Sequence, residues 1–188
     1  MTDLTQTVVH ATPAQDVSNP TLSELPMVAP VEQRNGMRRL AAGVSVITAA
    51  DCDRRAGLTA TAVCSVTTDP PRLVVFVNKN VLASEIIQNS AALAVNVLAG
   101  DQEDVARTFA GMVEGVQGEA RFQAGSWTTA VTGAPLLDNA LSSFDCRVIK
   151  MFDESTHNAF LCEVLAVRER AGGQALVYLN GAFRRIDQ

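Results

Sequence analysis

Residues 57–71 read "GLTATAVCSVTTDPP": threonines and a serine alternate with small or apolar residues until two prolines stop the run. Alternation of this kind is the period of an extended strand, in which residues i and i+2 share a face. One strand through the run puts Thr59, Thr61, Val63 and Ser65 together, opposite Ala60, Ala62, Cys64 and Val66. Pro70 and Pro71 have no N–H to give to a ladder, so the strand ends there. Upstream, the β-branched run "GVSVITAA" (43–50) is separated from it by the polar turn "DCDRRAG", which makes the two a hairpin. Downstream, "RLVVFVN" (72–78) begins at once and is apolar throughout, the pattern of a strand covered on both faces.

The same reading extends in both directions. "VEQRNGMRRLAAG" follows Pro30, which suits a first helical turn, and offers Val31, Met37, Leu40 and Ala41 as a partial apolar face weakened by Gly36. "VLASEIIQNSA" places Leu82, Ala83, Ile86 and Ile87 on one helical face, and "ALAVNVLA" (92–99) returns as a strand. Asp101 can cap a helix whose Val105, Phe109 and Met112 recur at helical spacing. From residue 113 the chain is glycine-rich for about a dozen residues. It then reads as strand-like segments: "SWTTAVT", "ALSSFDCRVIKMF", "HNAFLCEVLAVRE" and "QALVYLNGAFRRI". Strands outnumber helices by about three to one. Antiparallel hairpins with a few flanking helices imply a mainly β protein, a decorated barrel and not a doubly wound parallel sheet.

With 188 residues the chain is expected to form one core. The first 33 residues hold no Lys or Arg and four of the seven prolines, so residues 1–32 read as a flexible tail and 33–188 as the domain. Composition is ordinary for a soluble protein, 47% hydrophobic with a net charge of −5, and no basic cluster invites nucleic acid. No secretory signal or membrane-spanning run is present in the sequence, which points to a cytoplasmic protein. Of the four cysteines, Cys64, Cys146 and Cys162 fall in strand-like apolar runs, where a thiol acts as a small core residue. No C-x-x-C pair suggests a metal site or disulfide framework.

Catalytic motifs are scarce. The sequence has no G-x-G-x-x-G after a strand, no P-loop, no G-x-S-x-G elbow and no H-E-x-x-H. Gly111, Gly115 and Gly118 fit neither nucleotide-binding spacing. Apart from His10 in the tail, His157 is the only histidine. A domain so short of acids, bases and nucleophiles either binds without reacting or takes its reactivity from a cofactor such as a flavin.

"GLTATAVCSVTTDPPRLVVFVNKN" resembles the signature of the short-chain flavin reductases, the FMN-binding split-barrel family. The resemblance continues through "ALAVNVLAGDQEDVARTFAG" and "HNAFLCEVLAV" to "ALVYLNGAFRRI", in order, over roughly residues 34–186. It implies an antiparallel FMN-binding split β-barrel that binds FMN or FAD, takes hydride from NADH or NADPH, and forms a homodimer serving a partner monooxygenase. Carried over by position, it implies that Thr59, Ala60, Thr61, Ala62 and Ser65 line the flavin. Asn78 and Lys79 would sit beside the flavin tail, Lys79 supplying charge to phosphate. Phe109 and Ala110 would close the pocket, and His157 would orient the donor. The family's Ser or Thr and Arg after Asn-Lys are replaced here by "NVLAS", leaving Asn80 and Ser84 as side-chain donors. The choice between FMN and FAD therefore stays open. The glycine of the family's Gly-Glu-Val is Cys162.

Plainer readings stand beside these: Lys79 as a solvated turn residue, Phe109 as core, His157 as a surface residue, the threonines as an exposed strand face. Two other functions also fit the residues. One is a flavin-binding carrier or sensor without turnover; the other is an oxidase of the related pyridoxine-phosphate type.

Overall fold

The computed structural model of the chain describes residues 17–187. His10 and residues 1–16 of the segment read as a tail lie outside the described residues. The rest of that segment carries a single turn, α1 (Pro20–Ser23), and the start of the expected helix α2 (Pro30–Met37). Neither buries a residue, and Val31, Met37 and Leu40 all stay exposed.

The domain then runs β1 (Ala42–Gly43), β2 (Ser45–Ala50), β3 (Arg55–Ala60), β4 (Val63–Thr68), β5 (Pro71–Asn78), α3 (Leu82–Ser90), β6 (Ala92–Val97) and α4 (Glu103–Phe109). It continues through β7 (Trp127–Thr128), β8 (Leu136–Leu137), β9 (Ser142–Glu154), β10 (His157–Glu169), β11 (Ala175–Leu179) and β12 (Ala182–Ile186). Seven strands form one sheet in the order β3-β2-β6-β9-β10-β5-β4, with every neighbouring pair antiparallel. The two edge strands, β3 and β4, are consecutive in the chain with only Thr61 and Ala62 between them. Because a chain advances at most about 3.6 Å per residue, the two edges come within roughly 11 Å at this point. A seven-stranded sheet can meet that limit only by curling on itself. No ladder joins β3 to β4, so the barrel is open along that seam.

Successive residues of β2 face opposite sides and build two cores. Ile47 and Ala49 point into the barrel with Val75, Leu93, Val95 and Phe160, where α3 adds Ala83, Ile86 and Ile87. Val44 and Val46 face outward to Leu98, Val105, Phe109, Phe122 and Leu176, beneath α4 and the small sheet β1-β11-β12. The mainly β, antiparallel barrel with flanking helices is the architecture the strand pattern predicts.

The structure departs from the sequence reading in several places. The run 57–68 is two strands, not one. Leu58 and Ala60 pack on the interior core, and so does Val63, three residues beyond Ala60. The break at residues 61–62 shifts the alternation by one, and a one-residue shift turns every later side chain to the other face. Thr59 therefore faces α4 while Ser65 falls on the other side, and there is no single hydroxyl ladder. In β5 only Leu73, Val75 and Val77 are buried, and Phe76 is 39% exposed, so one face is uncovered. Cys146 and Cys162 are buried as expected, but Cys64 is exposed on the edge strand β4. Asp101 does not cap α4 and pairs with Arg170 at 3.1 Å; the N-cap position is Gln102, which makes no side-chain cap and whose Oε1 accepts the Ala99 N–H of the preceding turn at 3.0 Å. Leu82 and Met112, placed on apolar helix faces by spacing, are exposed. "SWTTAVT" shortens to β7, and "QALVYLNGAFRRI" is a hairpin. Its two turn residues, Asn180 and Gly181, have φ of 52° and 81°, the left-handed pair of a type I′ turn.

Among the described residues, no helix is long and apolar enough to cross a membrane, and no His, Cys, Asp or Glu cluster could hold a metal ion.

Candidate active site

A cleft of 490 Å³ opens where three stretches of backbone converge: residues 56–58 of β3, residues 81–83 at the start of α3, and the glycine-rich loop 111–118, with Arg121 behind it. This is the size of a small-molecule site. Gly111, Gly115 and Gly118 take φ of +73°, +77° and +54°, so the loop uses a left-handed path that side-chain-bearing residues resist. Gly57 is required for a different reason. A Cβ there would lie 2.7 Å from Phe109 Cε1, so β3 can approach α4 only without a side chain.

Below the cleft lies an aromatic trio. Phe109 is 1% exposed, and its ring centroid is 5.1 Å from Phe122 and 5.3 Å from Trp127. Phe122 is held in turn by the Arg55 guanidinium, 4.4 Å above its ring, and Arg55 pairs with Glu119 at 2.9 Å. Phe122 and Arg121 share the 3-10 turn Gly118–Gln123, so inward packing of the one fixes the other at the cleft wall. Arg121 Nη1 donates to the Phe109 carbonyl at 3.4 Å, while its buried Nε has no partner.

None of the twelve residues singled out in the sequence lines this cleft. Thr59 donates its hydroxyl to the Ala106 carbonyl at 2.7 Å, tying β3 to α4. Ala60 packs on the barrel core, and Thr61, Ala62 and Ser65 are exposed along the seam. Asn78 accepts the Asn80 N–H at 2.9 Å, and Asn80 is exposed. Lys79 pairs with Asp153 and donates to the Ser155 carbonyl at 2.6 Å, so its ammonium is directed to the β9–β10 turn. Ser84 is fully buried, and its hydroxyl accepts from Asn158 Nδ2 at 3.2 Å. Phe109 is core, and Ala110 is exposed at the base of the glycine loop. His157 stands opposite Asn78 in the ladder, with Nδ1 2.8 Å from Thr156 Oγ1.

The cleft walls are thus chain neighbours of those residues: Leu58 beside Thr59, Val81 beside Asn80, Ala83 beside Ser84, Gly111 beside Ala110. Gly57, the 111–118 loop and Arg121 were missed. The glycine density after residue 113 was a visible signal, but it matched no named phosphate-binding spacing. Nothing local marks Arg121.

The two buried thiols offer no nucleophile. Burial pushes the Cys146 thiol up to about 12 and raises Cys162 as well, so both stay protonated and inert. Glu163 is held below the usual carboxylate range by hydrogen bonds from Arg147 and Arg72, on the outer face of the sheet.

An antiparallel barrel open along one seam, with a cleft walled by backbone and a single cation, defines a split barrel built to hold a ligand that brings its own chemistry. The chain belongs to the flavin reductase like domain family, whose model matches residues 37–187. It is 47% identical over 149 residues to the FMN reductase (NADH) RutF of Stutzerimonas stutzeri, covering 79% of this chain and 84% of that protein. It is 40% identical over 153 residues to the 4-hydroxyphenylacetate 3-monooxygenase reductase component of Pseudomonas aeruginosa, covering 81% and 89%. Among solved structures, it superposes with a TM-score of 0.76 on the Streptomyces globisporus NADH:FAD oxidoreductase SgcE6 in complex with NAD and FAD fragments. That match is 27% identical and covers 86% of this chain and 97% of the other.

Proposed function

We infer that the protein is an NAD(P)H-dependent flavin reductase, in which one hydride and one proton convert oxidised flavin to its reduced form as the nicotinamide is oxidised. The similarity to reductases over the whole domain carries this reading. The fit of the site supports it: an open cleft with glycine walls, an orphaned guanidinium N–H and no acid–base pair. A bound flavin supplies the redox chemistry by accepting hydride, and the protein's task is to hold and orient the two reactants.

Of the residues the resemblance assigns to flavin, Thr61, Ala62, Ser65, Asn80 and Ala110 are exposed beside the seam and the cleft mouth. Their side chains and backbone are the contacts we propose. Thr59, Asn78, Lys79, Ser84 and Phe109 act by holding that backbone in place. We propose His157, half-buried at the start of β10, as the imidazole that orients the donor. FMN and NADH are the proposed preferred pair, following the name of the Stutzerimonas relative. The Pseudomonas relative suggests the role of reduced flavin here, delivery to a partner monooxygenase. Steady-state oxidation of NADH and of NADPH, with and without added FMN or FAD, tests the activity. Turnover that depends on flavin supports it, and oxidation no faster than in protein-free buffer overturns it.

Homodimerisation is proposed on the uncovered sheet face. Cys64, Val74, Phe76 and Leu161 come to the outer side of β4, β5 and β10, where Cys64 opposes Val74 and Val74 opposes Leu161. Phe76 and Val66, 39% and 49% exposed, add to this apolar surface, while α3 and α4 pack elsewhere. A second copy burying this face is the economical cover for it. Phe76→Asp should shift the protein to a monomer in size-exclusion chromatography with light scattering. A monomeric parent, or an unchanged dimer in the variant, contradicts the assignment.

A further inference from the structure

We propose that Arg121 is the cation that receives the phosphate ester of the flavin, the part that the family resemblance gives to Lys79; the proposal rests on the flavin-binding reading above. Lys79 is poorly placed for that part. Its ammonium is engaged by Asp153 and by the Ser155 carbonyl at 2.6 Å, at the turn between β9 and β10.

Arg121 is in the opposite situation. It lines the cleft, and among the described residues it makes no ion pair. The acid two residues before it, Glu119, is taken by Arg55 at 2.9 Å. Among the described residues the only hydrogen bond of its guanidinium is the long one from Nη1 to the Phe109 carbonyl, 3.4 Å, and its buried Nε has no acceptor. A buried N–H of a charged group without an acceptor is costly, so the arrangement is explained if an anionic acceptor arrives from outside the chain. Space for one is provided by Gly111, since a Cβ at that position would stand 3.3 Å from Arg121 Nη2. The planar guanidinium suits phosphate oxygens through paired N–H donors.

Other walls of the cleft favour the same guest. α3 begins in the cleft at residues 81–83, and its N-cap, Val81, provides no side-chain cap, so the Leu82 and Ala83 N–H groups keep their donor capacity, while that of Ser84 donates to the Val81 carbonyl at 2.9 Å. The acidic residue of the lining, Glu114, is exposed. The backbone of Arg121 is also held in place, because Phe122 beside it packs on Phe109 and Trp127 under Arg55. A preorganised cation loses little freedom when the anion binds.

Phosphate could come from the flavin or from the nicotinamide dinucleotide, and the test separates them. Equilibrium binding of FMN and of riboflavin, which lacks the phosphate, is measured by quenching of flavin fluorescence with wild type, Arg121→Gln and Arg121→Lys. The KM for NADH is measured beside it. Arg121→Gln should weaken FMN binding about ten- to a hundredfold, the worth of a charge-assisted hydrogen bond. Riboflavin binding and the KM for NADH should not change, and Arg121→Lys should recover part of the FMN affinity. Equal losses for FMN and riboflavin would show a structural role and overturn the proposal. A loss confined to NADH, or no loss at all, would overturn it too. Arg121-dependent FMN binding in a wild type that fails to oxidise NADH or NADPH would leave the phosphate anchor standing and refute only the reductase activity.

Discussion

Replacing Asn96 by leucine should destabilise the protein by about 3–5 kcal/mol, because several buried polar groups lose their partners at once. Asn96 is fully buried in β6, opposite Val46 of β2 and Ser143 of β9. Its Nδ2 donates to the Val46 carbonyl at 3.1 Å and to Thr48 Oγ1 at 3.2 Å. Its Oδ1 accepts the Leu137 N–H at 2.8 Å and the Ser143 hydroxyl at 2.9 Å. Leu137 belongs to β8, which pairs with β7, so one amide ties three barrel strands to the hairpin that carries Trp127. Leucine keeps the branched shape but is larger, so the loss does not come from a cavity and combines the missing hydrogen bonds with the strain of fitting two methyl groups. In thermal denaturation, the melting temperature should fall by roughly 10 °C or more. A change below about 1 kcal/mol would mean that water or a local shift satisfies the orphaned groups.

Phe109→Ala should cost about 3–5 kcal/mol, the usual penalty for removing a buried aromatic ring from a core. Its ring fills the space against Gly57, Phe122 and Trp127. The variant should show a red-shifted Trp127 emission together with the loss of stability, since the indole loses a packing partner. This separates two roles for the residue. A side chain that closed a flavin pocket from outside would weaken flavin binding and leave the melting temperature alone. A core side chain lowers the melting temperature first, and loosens the 111–118 loop only through its missing support.

Much of the barrel was legible because period-two alternation and β-branched runs are strong local signals. "GVSVITAA", "ALAVNVLA" and the long segments 140–152 and 157–169 all became strands. The break at Thr61 and Ala62 was not legible, because alternation of small residues runs through it unchanged. The switch from one sheet edge to the other is a tertiary fact. The reverse holds for Asn180-Gly181, whose turn chemistry sits plainly in the sequence within a segment read as one strand.

At the candidate site, the resemblance pointed to stretches of chain next to the cleft walls, and several of the side chains it named are committed to other partners. Thr59 is spent on α4, Lys79 on Asp153 and Ser84 on Asn158. Such partnerships join residues 47 to 74 positions apart, which spacing along a strand cannot reveal. Arg121 escaped notice for the same reason, since its value lies in a missing partner. Nothing local marks Asn96 within "ALAVNVLA", although it organises the centre of the sheet.

The central claim is that this barrel passes hydride equivalents from a reduced nicotinamide to flavin. Its most direct test is anaerobic mixing of a trace of the protein with excess NADH and FMN, following both chromophores together. The account predicts that nicotinamide oxidation and flavin bleaching proceed in equal molar amounts over many turnovers. Flavin that stays oxidised, or nicotinamide consumed without matching flavin reduction, would contradict it.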